Sequence, residues 1–530
     1  MAASKARMME TVMISCHVDH DLECLDRMVD AEPLDLLIVG GGINGASLAR
    51  EAALRNWRVL LVEKGDFGAQ TSSMTTKLAH GGLRYLENMD FGLVHESLLE
   101  RARLVESAPH LVKPLQFLLP VFRGQAGRPG WQLRIGIQMY HWLAGSKDIG
   151  NPDHWSPERI AGQMPEFRQD GLRAGIGYFE AQMDDSRLVL ESLLDAVQLG
   201  AVAIRDCMAT GIDADGGDAR TVSLKHARSG HSFQVRARCV VYTAGPWTDE
   251  VWRHFDPAHE SVLVPSRGVH LVLNRPGPAC GLAVIHPHDA RLFFILPWHG
   301  KTLVGTTETA VAGPETAFEA DDEEIDYLVE GYRYVFPGAL DRGDVLSSFA
   351  GIRPLVRQPG RSAGETSRKD MIHMDPERVC FVAGGKYTTF RRVGERVAEA
   401  VAGVLGRKFQ TGLSVGRRFP GAERAITLEE VQAALDERQA APELASNLLA
   451  RYGTRALEVA RFHGQEPSML EPLHPDHPET IGEAVFSRSY EWSRTPEDFL
   501  LRRTRLGLLV DRSARDELKQ KLIDRCGYTD

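Results

Sequence analysis

The hydrophobic pattern at the start of the chain predicts a strand, a helix and a second strand in quick succession. Residues 36–39 are consecutive apolar residues that end in glycines, which is typical of a buried parallel strand. Alanines recur through residues 46–53 and would keep one side of a helix narrow. Asn56 lies where that helix should end, because asparagine tolerates the left-handed conformation. A second apolar run, residues 59–62, is followed by Glu63 and completes an opening βαβ unit.

Three glycines lie at the turn between the first predicted strand and the helix. Gly40, Gly42 and Gly45 form G-x-G-x-x-G: the first permits a tight turn, the second lets a pyrophosphate approach the backbone, and the third lets the helix pack on the strand. Glu63 can accept hydrogen bonds from a ribose 2′-hydroxyl and would repel a 2′-phosphate. The motif therefore predicts the adenosine diphosphate group of NAD or FAD and argues against NADP.

Further along the chain the pattern changes twice. Apolar runs between residues 239 and 307 include several that alternate in polarity, as antiparallel strands with one wet face do. Residues 379–404 then repeat the order of strand, glycines and helix. After about residue 410 the pattern is helical, with Thr427 and Glu430 as a capping box, and residues 466–479 are expected to form a loop.

Composition narrows the function classes. The 530 residues, 43% of them hydrophobic, suffice for about three domains. The net charge of −10 argues against a nucleic-acid-binding protein. Seven scattered cysteines without a C-x-x-C pair fit a reducing compartment and favour neither a disulfide framework nor a metal site. Residues 1–33 lack the apolar core of a signal peptide, and no apolar run approaches the roughly 18 residues that span a bilayer, so membrane contact is expected to be peripheral.

The choice between NAD and FAD rests on features outside the opening fingerprint. Hydroxyls and an amine crowd the stretch after Glu63, where they can line a diphosphate and a ribityl chain. Two further strand ends carry glycines, at residues 244–245 and 384–385, and the second opens a helix whose N–H groups can meet the electron-rich edge of a flavin. Three glycine-edged strand ends that converge on one ligand favour FAD. The predicted FAD-binding residues are Gly40, Gly42, Gly45, Glu63, Lys64, Thr71, Ser72, Ser73, Lys77, His80, Gly81, Gly82, Gly245, Gly385 and Thr388.

These patterns predict an α/β protein in three parts: an FAD-binding Rossmann-like domain, an antiparallel-sheet substrate domain and a C-terminal helical domain. Residues 1–33 would be an N-terminal extension, residues 34–409 the oxidoreductase domain and residues 410–530 the helical domain. Within 34–409, the FAD-binding parts are predicted at about 34–110, 176–262 and 346–409, and the substrate-domain parts at about 111–175 and 263–345.

Seven motifs extend the interpretation from cofactor to reaction. They are GGGINGASLAREAALR, TSSMTTKLAHGGLRYLE, DDSRLVL, TAGPW, GTTE, GIRPL and GGKYTTFR. In these motifs the chain resembles the FAD-dependent, quinone-linked glycerol-3-phosphate dehydrogenases of the aerobic type. The resemblance extends from about residue 34 to the C-terminus. The resemblance implies oxidation of sn-glycerol 3-phosphate to dihydroxyacetone phosphate by hydride transfer from C2 to flavin N5. It also implies non-covalent FAD, a membrane quinone as electron acceptor, a C-terminal helical cap domain, and a cytoplasmic protein attached peripherally to the cytoplasmic face of the inner membrane.

The family's active-site motifs fall on six residues of this chain. By resemblance, the predicted catalytic residues are Arg353, His270 and Lys386, and the predicted substrate-binding residues are Arg84, Tyr85 and Arg368. Arginine suits a phosphate because its planar fork gives paired hydrogen bonds, and histidine has a pKa suited to proton transfer near neutrality. Arg353 and His270 are expected to face the reacting carbinol. Lys386 is expected either to hold phosphate with Arg84 and Tyr85 or to lie near flavin N5.

Structural roles stay open for some of these residues. A loop arginine is often solvated or paired with a carboxylate, and His270 can be an ordinary residue of an alternating strand. Asp184, Asp185 and Arg187 are expected to form a salt-bridged turn at a helix start, with substrate contact as the alternative.

Three departures from the family pattern concern the substrate. Glu308 stands in GTTE where the family more often has aspartate, Met74 replaces a more usual polar residue, and the acidic residue that usually follows Arg368 is missing. These changes leave the exact polyol open, since an erythritol phosphate would need only a slightly longer pocket.

Basic and aromatic residues cluster in the stretch from residue 114 to 147, which contrasts with the acidic chain as a whole. It combines tryptophans and phenylalanines with Arg123, Arg128 and Arg134. This composition is typical of a segment at a membrane interface. A helix and loop that merely cover the domain are the alternative.

Rival functions remain on the same fold. A flavin amine or amino-acid oxidase would need one arginine for a substrate carboxylate, a related oxidase would pass electrons to oxygen, and a sensor would bind flavin without catalysis. The expected partners are glycerol 3-phosphate, quinone and the membrane surface, with no nucleic acid, and a homodimer is left open.

Overall fold

The structure is a computed structural model that describes most of the chain. It describes residues 18–29, 31–83, 86, 89–124, 129–214, 218–314, 319–338, 340–358, 369–435, 442–464 and 466–529.

The described strands and helices follow one another along the whole chain. The strands are β1 Leu36–Val39, β2 Val59–Val62, β3 Leu78–Ala79, β4 Val112–Phe122, β5 Asp153–Trp155, β6 Leu172–Met183, β7 Val202–Ile204, β8 Cys207–Ala214, β9 Arg220–His226, β10 Ser232–Ala237, β11 Val240–Tyr242, β12 Leu263–Leu273, β13 Gly281–Ile285, β14 Leu292–Trp298, β15 Lys301–Gly305, β16 Thr309–Ala310, β17 Val345–Val356, β18 Asp370–Met374, β19 Val379–Gly384, β20 Pro472–His474 and β21 His477–Thr480. The α-helices are α1 Val18–Val29, α2 Ile43–Ala53, α3 Phe91–Ser107, α4 Gly130–Ala144, α5 Pro157–Gln163, α6 Asp185–Gln198, α7 Thr248–Phe255, α8 Asp322–Val335, α9 Phe390–Val404, α10 Leu428–Leu435, α11 Pro442–Tyr452, α12 Ala456–His463, α13 Ile481–Tyr490, α14 Leu506–Leu509 and α15 Arg512–Cys526.

The first layer is a six-stranded sheet in the order β18-β19-β11-β1-β2-β7. Its inner strands β1, β2 and β11 are parallel and short, and every residue of β2 is buried, as the apolar runs predict. Helices α2, α6 and α9 pack together over this sheet and close its core. The predicted βαβ unit is confirmed, and Asn56 adopts the left-handed conformation with φ of +57°.

The second layer is a ten-stranded sheet in the order β16-β12-β15-β14-β13-β4-β6-β3, with β17 paired to β12 and β5 to β6. Its pairs are antiparallel except for β13 with β4, in agreement with the predicted antiparallel-sheet domain. Two predicted boundaries, at residues 175/176 and 345/346, fall inside β6 and β17. Both strands run on into stretches assigned to the FAD-binding part, because each forms a long ladder within the second sheet.

The C-terminal part is mainly helical and packs on the cofactor-binding layer. The predicted capping box is present: the Thr427 N–H donates to the Glu430 carboxylate at 2.8 Å, and the Glu430 N–H donates to the Thr427 hydroxyl at 3.3 Å. The stretch 466–479 was expected to be a loop, and this expectation was wrong. It contains a 3₁₀ turn at Pro467–Leu470 and the β20–β21 hairpin. Pro467 and Pro472 begin the turn and the first strand, and Pro478 lies where the register of this two-stranded pairing shifts, so the prolines do not exclude it.

None of the helices in the described part of the chain is both long enough and apolar enough to cross a bilayer.

Candidate active site

A cavity lies between the carboxyl ends of the parallel strands and one face of the antiparallel sheet. The parallel layer contributes the turns that follow β1, β11 and β19, and the antiparallel layer contributes residues of β6, β12, β14 and β17. The carboxyl ends of parallel strands are the usual ligand position in open α/β sheets.

The fingerprint glycines meet the geometric demands expected of them. Gly40 has φ of +116°, and a β-carbon on it would lie 2.6 Å from the carbonyl oxygen of Thr243. A β-carbon on Gly45 would lie 2.0 Å from the carbonyl oxygen of Gly40, so only glycine permits this packing of helix on strand. Gly42 lines the cavity, and a β-carbon there would meet only the Ser72 hydroxyl, at 3.2 Å. The helix start is thus open where a pyrophosphate would approach.

Glu63 lies at the end of β2 and binds the backbone on both sides. Its carboxylate accepts hydrogen bonds from the N–H groups of Gly41 at 2.7 Å and Gly65 at 2.9 Å. Burial raises the pKa of Glu63 above its ordinary value, and the two backbone donors oppose that rise. The carboxylate therefore organises the glycine turn, and its contact with a ribose stays a prediction.

The hydroxyl-rich stretch contributes part of the cavity wall. Thr71 and Ser72 line it, whereas Ser73 is buried beneath. The Thr71 hydroxyl donates to the carbonyl of Ile352 at 2.6 Å, and the Ser72 hydroxyl accepts from the Ile43 N–H at 3.0 Å. This stretch therefore links the first turn of α2 to strand β17.

Lys77 and Lys64, both predicted to bind FAD, lie outside the cavity wall. The Lys77 ammonium is buried and donates to Asp185 at 2.9 Å and to the carbonyl of Ser73. Its burial lowers its pKa to about 8. Lys64 is exposed, with Nζ 4.0 Å from the centre of the Trp247 ring. In this structure Lys77 fixes the loop internally, because a buried ammonium needs a carboxylate partner.

Most of the remaining residues predicted to bind FAD meet at the cavity. The N–H of His80 donates to the Thr388 hydroxyl at 3.0 Å, and that hydroxyl donates to the carbonyl of His80 at 3.1 Å. Gly81 lies behind the wall, where a β-carbon would be 2.4 Å from the hydroxyl of Tyr140. Those that line the cavity are His80, Gly82, Gly245, Gly385 and Thr388.

His270 points from β12 into the cavity wall and is 1% exposed. Its Nε2 lies 2.9 Å from the Thr76 hydroxyl, and its ring stacks on Phe349 with centres 4.9 Å apart. Nδ1 has no hydrogen-bond partner among the described residues. Burial, together with the nearby charges of Arg353 and Lys77, holds the pKa of His270 well below its usual range. The imidazole is therefore neutral at physiological pH.

Arg353 lies on β17, half-buried at the cavity. Its guanidinium donates to the Thr306 hydroxyl at 2.8 Å and to the carbonyl of Thr307 at 3.3 Å. These bonds orient the planar fork towards the same cavity that His270 lines.

Lys386 follows the glycines at the end of β19 and is 4% exposed. Its Nζ donates to the Ser97 hydroxyl at 3.1 Å and to the carbonyl of Gly81 at 3.3 Å. The three predicted catalytic residues Arg353, His270 and Lys386 thus line one cavity, although more than a hundred positions separate His270 from Lys386. Arg84, Tyr85 and Arg368 lie outside the described residues.

Two charged residues of the cavity were missed by the sequence reasoning. Glu180, on β6, accepts hydrogen bonds from Arg101 at 2.8 Å, Tyr140 at 2.5 Å and the Gly81 N–H at 3.3 Å, and burial raises its pKa. Arg291 lies at the exposed side of the cavity, just before β14, and donates to the carbonyl of Glu308 at 2.9 Å. Neither residue stands in a glycine motif, and only the strand pairing brings them to the site.

The turn expected at Asp184, Asp185 and Arg187 is present at the start of α6. Asp184 caps the helix by accepting from the Arg187 N–H at 3.1 Å. Asp185 pairs with Lys77, and Arg187 forms a two-pronged pair with Glu491 at 2.6 and 2.9 Å. The structural interpretation of this turn is confirmed.

Comparisons with known proteins agree with this architecture. A family described as FAD dependent oxidoreductase matches residues 35–400, and a family described as C-terminal domain of alpha-glycerophosphate oxidase matches residues 415–526. A glycerol-3-phosphate dehydrogenase from Synechocystis sp. is 36% identical, covering 93% of each chain. D-erythritol 1-phosphate dehydrogenase from Brucella abortus is 32% identical, covering 90% of this chain and 95% of its own. The X-ray structure of a glycerol-3-phosphate dehydrogenase from Bacillus halodurans, complexed with FAD, superposes with a TM-score of 0.74 at 26% identity, covering 97% of each chain.

The fold and the glycine-lined cavity define an FAD-dependent oxidoreductase. Open backbone at Gly42 and Gly245, with hydroxyls at Thr71 and Ser72, fits this cofactor. The chain belongs to the family of FAD-dependent glycerol-3-phosphate dehydrogenases. The predictions of fold class, cofactor and family are confirmed.

Proposed function

We propose that this protein oxidises sn-glycerol 3-phosphate to dihydroxyacetone phosphate and passes the electrons to a membrane quinone. The observation that carries the proposal is the common cavity of Arg353, His270 and Lys386 beside the glycine turns. Relatives that carry the dehydrogenase name over more than nine-tenths of this chain support the substrate.

Charge supports a phosphorylated substrate. Among the described residues of the cavity, Arg291, Arg353 and Lys386 are cationic, and His270 is neutral. Glu180 and Glu308 also line it, and Glu180 is paired with Arg101, at 2.8 Å, so the cations outnumber the carboxylates. A phosphate close to two negative charges needs several cationic donors, whereas a carboxylate needs one arginine. We assign the phosphate to the cationic groups that include Arg291 and Lys386, with Arg84, Tyr85 and Arg368 as further predicted contacts.

The reaction needs a proton acceptor and charge stabilisation at C2. Bound FAD supplies the acceptor for the hydride. His270 can take the C2 hydroxyl proton at Nε2, directly or through the Thr76 hydroxyl, because burial keeps its imidazole unprotonated. The same lowered pKa makes it a weaker base than an ordinary histidine. Arg353 stays protonated and stabilises negative charge that develops on the substrate oxygen.

Erythritol 1-phosphate is the second candidate substrate. Glu308 lines the cavity where the family more often carries aspartate, and a relative named for this substrate matches over 90% of the chain. A side chain one carbon longer at this wall changes the space and the hydrogen-bond partners available to a polyol chain.

Helix α4 supports membrane attachment and a lipid-soluble acceptor. Its outer face presents Trp131, Ile135 and Trp142, with exposed fractions of 64%, 51% and 69%. Its inner face carries Tyr140, whose hydroxyl binds Glu180 in the cavity wall. One helix, about 10 Å across, thus separates the apolar surface from the cavity. We propose that this face rests on the cytoplasmic surface of the inner membrane.

The test is flavin reduction in the absence of air. The purified yellow protein is mixed with glycerol 3-phosphate, erythritol 1-phosphate, glycerol or an amino acid, and the loss of flavin absorbance is followed. We expect rapid bleaching by a polyol phosphate only, and slow bleaching in Arg353→Ala and Lys386→Ala. Bleaching by amino acids would support the oxidase alternative, and no bleaching would support a sensor. Adding a short-chain quinone or oxygen to the bleached enzyme then compares the two electron acceptors.

A further inference from the structure

The segment Arg502–Arg505 of the C-terminal domain carries three arginines within four positions. Arg502, Arg503 and Arg505 are buried, with exposed fractions of 8%, 0% and 2%. Arg505 also has φ of +73°, a left-handed conformation that residues other than glycine rarely adopt. Like charges so close together persist in an interior only where carboxylates meet them. Three of those carboxylates come from two places in the cofactor-binding part of the chain: Asp66, and the neighbours Asp184 and Asp185.

The first carboxylate is Asp66, three residues beyond Glu63. Arg503 binds it with both prongs, at 2.6 and 2.7 Å, and Arg502 donates to it as well. The next residue, Phe67, packs against the fingerprint turn, where a β-carbon on Gly41 would lie 2.5 Å from its ring. The contact with the C-terminal domain thus fixes the stretch that borders the start of α2.

The same Phe67 touches the C-terminal domain on its other side. Its ring meets that of Trp492 edge to face, with centres 5.3 Å apart. The stretch after β2 is therefore held between the glycine turn and the C-terminal domain.

The second carboxylate is Asp185, which contacts residues 75 and 77 of the hydroxyl-rich stretch. Arg505 donates to Asp185 and, at 3.2 Å, to Asp184. Asp185 in turn accepts from the Thr75 hydroxyl at 2.7 Å and from the Lys77 ammonium at 2.9 Å. Thr75 lines the cavity, so one side chain separates Arg505 from the cavity wall.

We propose that Arg502–Arg505 is a clamp that holds the two loops flanking FAD, residues 63–69 and 71–77, in their binding geometry. The C-terminal domain is then part of the cofactor site, with Arg503 and Arg505 as positioning residues. Without the arginines, Asp66 would keep Arg205, at 3.0 Å, and Asp185 would keep Lys77, at 2.9 Å. Each buried carboxylate would still lose the cationic partner that ties its loop to the C-terminal domain, which is costly in the interior. The inference concerns FAD retention and is independent of the identity of the substrate.

The test compares FAD affinity in matched variants of the full-length protein. Arg505→Met removes the contact with Asp185, and Arg503→Met removes the two-pronged contact with Asp66. Arg451→Met is the control: Arg451 is also buried in the C-terminal domain, but it pairs with Glu479 and Glu483 of that domain, at 2.5 and 2.6 Å. It touches the segment through a long hydrogen bond to the Thr504 carbonyl, at 3.4 Å, and makes no ion pair with Asp66 or Asp185 among the described residues. Each apoprotein is titrated with FAD at a temperature where circular dichroism shows it folded. Hydrogen exchange of residues 63–77 is measured on the FAD-bound proteins.

We expect the Kd for FAD to rise about tenfold or more in Arg505→Met and Arg503→Met, with faster exchange in the loops. Arg451→Met should lower the melting temperature yet change the Kd less than about threefold. Arg505→Lys keeps the positive charge but not the planar guanidinium, and its Kd for FAD should lie between those of Arg505→Met and Arg451→Met. This variant also replaces Arg505→Met if Arg505→Met does not fold. Equal FAD affinity in all variants, or equal losses in the Arg451 control, would overturn the clamp.

Discussion

Gly268 lies directly against Arg353, so that a β-carbon built on this glycine would be 2.2 Å from Nη2 of the guanidinium. The two residues belong to the paired strands β12 and β17, in which Gly268 opposes Gly351. The contact involves the far end of a flexible side chain, which can move, and not backbone. The glycine therefore sets where the guanidinium lies more than whether the sheet forms.

Gly268→Ala is expected to displace Arg353 while leaving the fold intact. A displaced guanidinium would stabilise the negative charge on the C2 oxygen less well, so kcat/KM for glycerol 3-phosphate should fall about tenfold to a hundredfold. Steady-state kinetics and a thermal melt measure the two effects separately. The control is Gly211→Ala, a strand glycine whose nearest neighbour would lie 4.0 Å from the new carbon. A variant with normal kinetics would mean that Arg353 does not act on the substrate.

Lys386→Met should lower kcat/KM by about a hundredfold or more, because a buried cation at the cavity is lost. Ser97→Ala removes one of the bonds that hold Nζ and should cost about threefold. The exposed Lys369, paired with Asp90 at 3.3 Å, provides a lysine control. If Lys369→Met loses as much activity as Lys386→Met, general charge rather than the position of Lys386 explains the effect.

Glu180→Gln should loosen the Gly81 loop, because the neutral amide weakens the pairing with Arg101 and with the Gly81 N–H. Since Lys386 binds the Gly81 carbonyl, we expect a loss of about tenfold in kcat/KM and slower flavin bleaching. Tyr140→Phe removes one donor and should cost less. A larger effect of Tyr140→Phe than of Glu180→Gln would contradict the central role of the carboxylate.

The free energy of unfolding should decrease as the pH is lowered, because buried histidines resist protonation in the folded state. His110 is a clear case. Both ring nitrogens are buried without a hydrogen-bond partner among the described residues. Burial and the charges of Arg187 and Arg455 lower its pKa to about 3. The unfolded imidazole titrates near its ordinary pKa of 6.5, so below that pH the unfolded state binds more protons. The stabilising contribution is complete above pH 6.5 and is lost as the pH falls towards 3.

The variant His110→Gln should therefore have a flatter pH dependence of the melting temperature than the wild type between pH 7.5 and about 5. The full shift corresponds to an upper limit of about 5 kcal/mol. The exposed His254→Gln is the control and should follow the wild-type curve. Parallel curves for the wild type and His110→Gln would contradict a depressed pKa at this site.

Membrane attachment should depend on the outer face of α4. The double variant Trp131→Ser, Trp142→Ser should sediment about tenfold less with vesicles of phosphatidylglycerol and phosphatidylcholine, because it loses exposed apolar surface. Charge reversal at Arg123 and Arg134 should weaken binding mainly at low salt. Met208→Ser, an exposed apolar residue on β8, should leave sedimentation unchanged. If the tryptophan double variant sediments as the wild type does, the outer face of α4 is not the membrane-binding surface.

The cofactor site could be predicted because its signals are local. A glycine that must have a positive φ, or that must admit another backbone, stands at a fixed spacing from its strand and helix. Gly40, Gly42 and Gly45 therefore show their role within six residues. The same reasoning placed Gly245 and Gly385 at the cavity, while the predicted functional contacts of Arg84, Tyr85 and Arg368 stay predictions.

The sequence by itself determined the βαβ fingerprint, the flavin and the helical C-terminal part, because backbone geometry and hydrophobic period are written in neighbouring residues. Only the tertiary structure decided which charges meet. Lys77 pairs with Asp185, and the Gly81 N–H donates to Glu180, through contacts between positions about a hundred residues apart. Arg503 reaches Asp66 across more than four hundred positions. Ion pairs depend on distance in space and on burial, and no local pattern in the chain encodes either of them.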